Sequence, residues 1–475
     1  MGHKQDLVII GGGVGGLVTA SVAGQLGLKV TLIEASGKLG GDCLHYGCIP
    51  SKTLIKSAAM RHAASQGPRF GVNTHAGDTD LAAVMARVRE AIAHIQQHDD
   101  PDRFRGYGID VRFGTAAFVD AHTVAVDGAL IQGRRLVIAT GSRPTLPPIP
   151  GLENVPYWTN ERIFEQTTLP QRLAVIGGGP IGMELAQAFN RLGSAVTVLE
   201  AGAQILPKDN DALSNQLLSA LRDEGIDIRT HTSVTKAQQH ADHTTLTLAH
   251  HGDNTPLDVD AVLVATGRRP NLDALALENA GLALNAQGGL SVDRRLRTAQ
   301  RHIFACGDCI GAYPFTHMAE YQASIIISNA VFRLPKRLNY ETVPWVTYTD
   351  PELAQVGLTQ AQAEQSGLKI QLVNFALADV DRAVADAATV GELRLVVHRG
   401  RILGASLLAP HAGEIIHELA LAISARVPLR HLAGMIHAYP TLAQIIKRAA
   451  GSHYAPSLFS ARTRTLVKWL NRLLP

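Results

Sequence analysis

A chain of 475 residues, 46% of them hydrophobic, has the length for about three domains with well-buried cores and is too long for one. Its formal charge of +3, with Lys and Arg spread along the chain, gives no sign of a nucleic-acid partner, and four cysteines exclude a stapled secreted scaffold. No apolar run approaches the roughly 20 residues that span a bilayer, and the start at Met1 carries no signal-peptide core, so a cytoplasmic protein is expected.

The first predicted element is the apolar strand Leu7-Val8-Ile9-Ile10, followed at once by Gly11-Gly12-Gly13-Val14-Gly15-Gly16 and an alanine-rich helical pattern to about Gly27. Lys29 to Ile33 reads as a second strand that ends in Glu34. Strand, glycine loop, helix and terminal acid together form a dinucleotide fingerprint. Gly11 makes the tight turn, Gly13 admits the pyrophosphate, Gly16 lets helix and strand pack, and Glu34 accepts the ribose hydroxyls.

Next comes Gly40 to Lys52, with Cys43 and Cys48 five apart. Four intervening residues let the chain turn and bring both sulfurs together at the start of a helix, where the dipole and Lys52 favour a thiolate. A redox disulfide is the preferred reading. Zinc, the alternative, takes four ligands in closer pairs, and no matching Cys/His set follows.

Helices are expected from Lys52 to about Ala64 and from Leu81 to Gln97, the second with Val84, Val88 and Ile92 at core spacing. Short strands at Val111–Phe113 and Thr123–Val126 precede Arg135 to Pro144, a strand running into the turn Thr140-Gly141-Ser142. Residues 144–156 contain five prolines and read as a linker. The opening plan then repeats: strand Leu173–Ile176, phosphate loop Gly177-Gly178-Gly179-Pro180-Ile181-Gly182, helix Met183 to Leu192, and strand Val196–Leu199 ending in Glu200. Glu200 accepts from a ribose 2′-OH and repels a 2′-phosphate, and no Arg occupies the next seven positions, so NADH is expected over NADPH. This half closes like the first, with Ala261 to Pro270 around Gly267. Ile303 to Asp308 is a strand presenting an acid at its end, and from Tyr340 alternating strands mix with helices such as Glu414 to Ala425 in a third, α+β domain.

With both nucleotide units, the cysteine pair and Ala305-Cys306-Gly307-Asp308 in place, the chain resembles the class I pyridine nucleotide-disulfide oxidoreductases over essentially its whole length. These include dihydrolipoyl dehydrogenase, glutathione reductase and mercuric reductase. The resemblance implies an α/β fold of two Rossmann-like dinucleotide-binding domains plus a C-terminal α+β domain that forms a homodimer. FAD would occupy residues 1–152 and 272–338, NAD(P)H residues 153–271, and the dimer interface residues 339–475. It also implies that Cys48 lies against the flavin while Cys43 meets substrate, that Lys52 and its partner Glu184 sit near flavin N5, and that Asp308 holds the ribityl chain. His317 falls in the segment along the isoalloxazine. Gly114, Thr140 and Gly141 match further FAD contacts, and Gly177, Gly179, Gly182 and Gly267 the NAD site. Cys306 and Cys309, a CxxC at the strand end, are read as buried thiols.

The chain departs from this pattern at its end. Dihydrolipoyl dehydrogenase and glutathione reductase carry His-Pro with a Glu four residues beyond the Pro; here Tyr439-Pro440 is followed by Gln444. A phenol near pKa 10 is mismatched by about three units for accepting a thiol proton at neutral pH. His437 is read as structural. Tyrosine here is similar to mercuric reductase, but residues 457–475 lack that enzyme's cysteine pair. His45 stands where an Asn is usual, either tuning a thiol or filling space. The tail is amphipathic, Leu466, Val467, Trp469, Leu470, Leu473 and Leu474 alternating with Arg464, Lys468 and Arg472. Packing as a helix on the dimer is preferred over docking on a membrane surface.

Three functions remain open. The first is electron exchange between NADH and a disulfide or dithiol, such as a protein-borne lipoyl group. The second is reduction of a metal ion or quinone. The third is redox sensing with little turnover. No resident metal and no nucleic-acid partner are expected.

Overall fold

The computed structural model describes residues 4–473. They form two compact units, one of residues 4–201 and 232–339, the other of residues 202–231 and 340–473.

In the first unit, β1 (Leu7–Ile10) is at most 4% exposed at any residue. It lies mid-sheet, the order being Ile303–Ala305, Leu136–Ile138, β1, β2 (Val30–Glu34) and β3 (Ile109–Phe113), all parallel. A parallel sheet is covered on both faces, which is why β1, Leu136–Ile138 and Ile303–Ala305 are continuous apolar runs, while the edge strand β3 alternates through Asp110 and Arg112. Each such Leu, Ile or Val contributes about 1.5–3 kcal/mol by burial. α1 (Val14–Gln25) follows the first glycine loop. Parallel pairing sends every chain exit to one edge, so Gly11, Thr140 and Asp308 leave the carboxyl ends of neighbouring strands.

The second nucleotide unit repeats this plan with parallel neighbours Ala195–Leu199, Arg172–Ile176, Ala261–Val264 and Tyr157–Trp158. The repetition extends beyond what the motifs showed. Each half also carries a three-stranded antiparallel meander, Ala116–Asp120 to Ala129–Gln132 in one and Thr232–Gln239 to Asp253–Val259 in the other. The closing turns pair with each other, Arg269 opposite Arg143.

Helix starts are where sequence and structure part. α2 (Gly41–His45) is a single turn carrying Cys43, and α3 (Cys48–Gln66) begins four residues before the expected Lys52. Pro50 suggests a break but sits in the first turn, where a missing N–H leaves nothing unsatisfied. For the same reason the helix expected from Met183 begins at Pro180.

The second unit is built on a five-stranded antiparallel sheet in the order Pro344–Thr347, Glu352–Gly357, Arg401–Ala409, Glu392–His398 and Gln371–Ala376. Helices Ala412–Ser424 and Gln444–Leu458 pack Ile416, Leu419, Ile445 and Ile446 onto Leu393, Leu395 and Leu407. The tail helix Ala461–Leu473 has no buried residue; Leu474 lies outside the described residues. No described helix is long and apolar enough to cross a membrane.

Candidate active site

The glycine loop and the cysteine segment are built against each other. Gly11 has φ +112°, and a Cβ there would lie 2.2 Å from the Ala139 carbonyl oxygen; a Cβ on Gly41, at φ +62°, would lie 2.7 Å from Gly13 Cα. Both are places where only glycine lets two backbones meet. Gly11→Ala is therefore expected to cut flavin bound per chain by about tenfold or more, read from the visible absorbance of purified protein.

Cys43 and Cys48 lie in hydrogen-bond contact. The hydrogen bond from Cys43 is the main reason the Cys48 thiol falls from its ordinary value to about 6; Thr316 and Lys52 assist, while burial and Glu184 oppose. Cys43 is pushed up by giving that hydrogen bond and by burial. In the reduced pair this hydrogen bond favours the thiolate on Cys48. Sequence reasoning assigned the thiolate to the helix dipole and Lys52, but the Lys52 ammonium is engaged by Glu184 at 2.8 Å and the larger effects come from Cys43 and Thr316.

Thr316 escaped the sequence reading. Its Oγ1 is 3.4 Å from Cys48 Sγ across 268 residues of chain, and no spacing rule links the two. Because the Cys48 pKa is lowered, its thiolate persists at neutral pH and is lost only as pH falls through about 6. Thr316→Val is expected to raise that midpoint by about one unit. Long-wavelength absorbance of the two-electron-reduced holoenzyme against pH reads it directly.

The surroundings fit a bound dinucleotide. Gly12 N–H donates to Glu34 Oε2 at 2.6 Å, Ser36 N–H donates to Oε1 at 2.7 Å, and Gly114 N–H donates to the Glu34 carbonyl at 2.9 Å. Glu34 therefore braces the glycine loop. The space beside Gly13 is open to 3.8 Å, and Gly141, at φ +67°, also faces open space. Thr140 Oγ1 is buried with no hydrogen-bond partner among the described residues, an orphan that a cofactor oxygen would satisfy. Asp308 accepts from Ser142 Oγ at 2.5 Å, and burial raises its carboxyl pKa. Next to Thr316, the His317 ring stacks on Phe315 at 5.4 Å.

The second loop mirrors the first. A Cβ on Gly177 would lie 2.6 Å from the Ala265 carbonyl oxygen and one on Gly182 would lie 2.0 Å from that of Gly177, while Gly179 and Gly267 face open space. Gly178 N–H donates to Glu200 Oε2 at 2.7 Å. Sequence reasoning named Gly267 and passed over Arg268, whose guanidinium bonds the Ser142 hydroxyl at 2.8 Å, the Ser142 carbonyl at 2.9 Å and Asp42 at 3.0 Å. It ties the two closing turns to the cysteine segment.

Several open points close on geometry. His45 Nε2 donates to the Leu39 carbonyl at 2.8 Å in a buried place, and that burial lowers its pKa; it pins the loop. Cys306 and Cys309 are fully buried, and burial pushes both thiols up, Cys309 to about 12. Within the second unit, the His437 side chain is 4% exposed and its Nε2 meets Glu418 at 3.2 Å, which makes it structural. Tyr439 is 68% exposed, and Gln444 Oε1 is buried without a partner among the described residues.

Comparison with known proteins decides the family. Residues 5–323 match the pyridine nucleotide-disulphide oxidoreductase pattern, and residues 343–450 match that family's dimerisation domain. The chain belongs to this family. A mercuric reductase from Lysinibacillus sphaericus is 34% identical over 447 residues, covering 94% of this chain and 82% of the relative. A dihydrolipoyl dehydrogenase from Geobacillus stearothermophilus is 35% identical, covering 94% and 96%. Among solved structures, the Cu(II) complex of the HOCl-induced flavoprotein disulfide reductase RclA from Escherichia coli superposes with TM-score 0.84 at 31% identity, covering 93% and 98%. As a pyridine nucleotide-disulphide oxidoreductase the protein uses FAD and NAD(P)H, and its dimerisation domain supports a homodimer.

Proposed function

We propose that this protein is an NADH-linked, FAD-dependent reductase that delivers electrons through Cys43 and Cys48 to a thiophilic metal ion such as Cu(II). The observation that carries this is the residue at the family's base position, Tyr439 in place of His. Cys43, the thiol that faces substrate in the family pattern, has its pKa raised by the hydrogen bond to Cys48 and by burial, so thiol–disulfide exchange needs a base to take its proton. At the position of that base stands Tyr439, whose phenol ordinarily titrates near 10. His437 is no substitute, since its ring is buried against Glu418.

A soft metal ion does not need the base. Its bond to sulfur displaces the proton, because a coordinating thiol is deprotonated outright. Bound FAD supplies the relay of electrons from the nicotinamide to the cysteine pair. Cys48 holds the negative charge, Thr316 stabilises it, and Glu184 fixes the Lys52 ammonium nearby. Glu200 at the second loop favours NADH over NADPH. The balanced reaction is NADH with two Cu(II) to NAD⁺, H⁺ and two Cu(I). The mercuric reductase relatives and the copper complex of RclA support a metal substrate. The 35% identity to a dihydrolipoyl dehydrogenase favours a second reading, with a disulfide or lipoyl substrate.

The test is anaerobic NADH oxidation by the FAD-loaded dimer with Cu(II), with lipoamide, and with neither, trapping Cu(I) with a chromogenic chelator. Copper turnover at least about tenfold above lipoamide turnover, with two Cu(I) for each NADH, is expected. Rapid lipoamide turnover with no Cu(I) above background overturns the metal reading in favour of the second.

A further inference from the structure

Arginines spread along the sequence gather in space. Arg134, Arg135, Arg295, Arg297, Arg301 and Arg333 line one cavity of about 440 Å³ in the first unit. An adjoining cavity of the same size shares three of them and adds Arg294 and Arg337. They come from three stretches: the residues before strand Leu136–Ile138, the loop before strand Ile303–Ala305, and the segment after helix Thr316–Ile326. Both strands run parallel to β1, so Arg135 and Arg301 sit at their amino ends, whereas Thr140 and Asp308 leave the carboxyl ends. The basin is therefore at the opposite edge of the sheet from the first dinucleotide loop.

Its charge is largely uncompensated. Asp293 is the one acid in the lining, and Arg297 takes it through Nη2 at 2.6 Å and Nε at 2.9 Å. Arg134 reaches Asp6 at 3.6 Å. Among the described residues, Arg135, Arg295, Arg301, Arg333 and Arg337 have no carboxylate within 4.0 Å. Leu296 and Arg333 also hold left-handed backbone, at φ 62° and 61°, within the stretches that supply the basin. In a chain of formal charge +3, so many guanidiniums around a recess repel one another unless an anion joins them.

We propose that this basin binds a small polyphosphate anion of three or more phosphates, separately from both dinucleotide sites. Guanidinium forks match phosphate oxygens in pairs, and several forks converging on one recess reward several linked phosphates over one. The volume suits a small ligand. A single-stranded nucleic acid would want exposed rings for its bases, but of the two rings in the lining Phe304 is 3% exposed and His302 is already stacked on His122.

Calorimetry on the FAD-loaded dimer tests this, with inorganic tripolyphosphate, ATP and orthophosphate as probes at two salt concentrations. Saturable binding of tripolyphosphate, at least about tenfold tighter than orthophosphate and weakened by salt, is expected. In Arg295→Gln/Arg301→Gln it should weaken by about tenfold or more, with flavin content and basal NADH oxidation unchanged. If the double variant loses flavin, Arg301→Gln alone, at an exposed position, should show a smaller shift in the same direction. ATP binding as tightly as tripolyphosphate supports a nucleotide source, and tripolyphosphate alone supports an inorganic one. Affinity unchanged in the variants, or orthophosphate binding equally well, would overturn the proposal.

Discussion

Cys43→Ser is expected to lower metal-dependent and disulfide-dependent NADH oxidation by at least about 100-fold while leaving flavin content unchanged. Serine keeps a hydroxyl that can donate to Cys48, so the charge on Cys48 survives and the local fold is undisturbed. What is lost is a sulfur able to bind a soft metal or join a disulfide. NADH should still bleach the flavin, because that step precedes the cysteine pair. The readouts are steady-state NADH oxidation and an anaerobic NADH titration. Turnover above about a tenth of the parent rate would show electrons leaving without the pair and would redirect the search to quinones.

The second large effect is a gain. Tyr439→His with Gln444→Glu is expected to raise dihydrolipoamide oxidation by at least about tenfold, and the rate should acquire a limb near pH 6.5 where an imidazole titrates. Gln444 already buries a side-chain oxygen with no hydrogen-bond partner among the described residues, at the position where dithiol-oxidising relatives hold the orienting carboxylate. Copper turnover should stay within about twofold of the parent, because a metal ion removes the Cys43 proton without a base. An unchanged dihydrolipoamide rate would mean that base loss is not what separates this protein from the dithiol oxidases.

The two effects together separate what the cysteine pair does from what its surroundings permit. Thr316→Val and Gly11→Ala probe the same site from its electrostatics and its backbone, so the four variants touch thiolate, proton, charge and cofactor cradle in turn. A pattern in which, among the variants that keep their flavin, only Cys43→Ser affects copper turnover would leave the metal reading intact even if the pH midpoint of Cys48 moved.

Much of this was legible from residue order because the decisive features are local. A glycine loop between an apolar strand and a helix, closed by Glu34 or Glu200, declares itself within about thirty residues, and so does a pair of cysteines before a helix. The pairing of Lys52 with Glu184 was legible too, through the family resemblance, and stands at 2.8 Å. Helix starts were misplaced at Pro50 and Pro180 because proline signals a break in mid-helix and a start in the first turn, and composition alone does not say which.

The sequence by itself determined the two dinucleotide loops, the redox pair and the departure at Tyr439, since each depends on neighbours in the chain. Only the tertiary structure decided that Thr316 and Arg268 belong to the site, that His45 turns to a carbonyl and His437 to Glu418, and that scattered arginines converge on one basin. These depend on distances between residues far apart in the chain. Electrostatic interaction falls with separation in space, and parallel strands joined by long crossovers leave separation along the sequence almost unrelated to it.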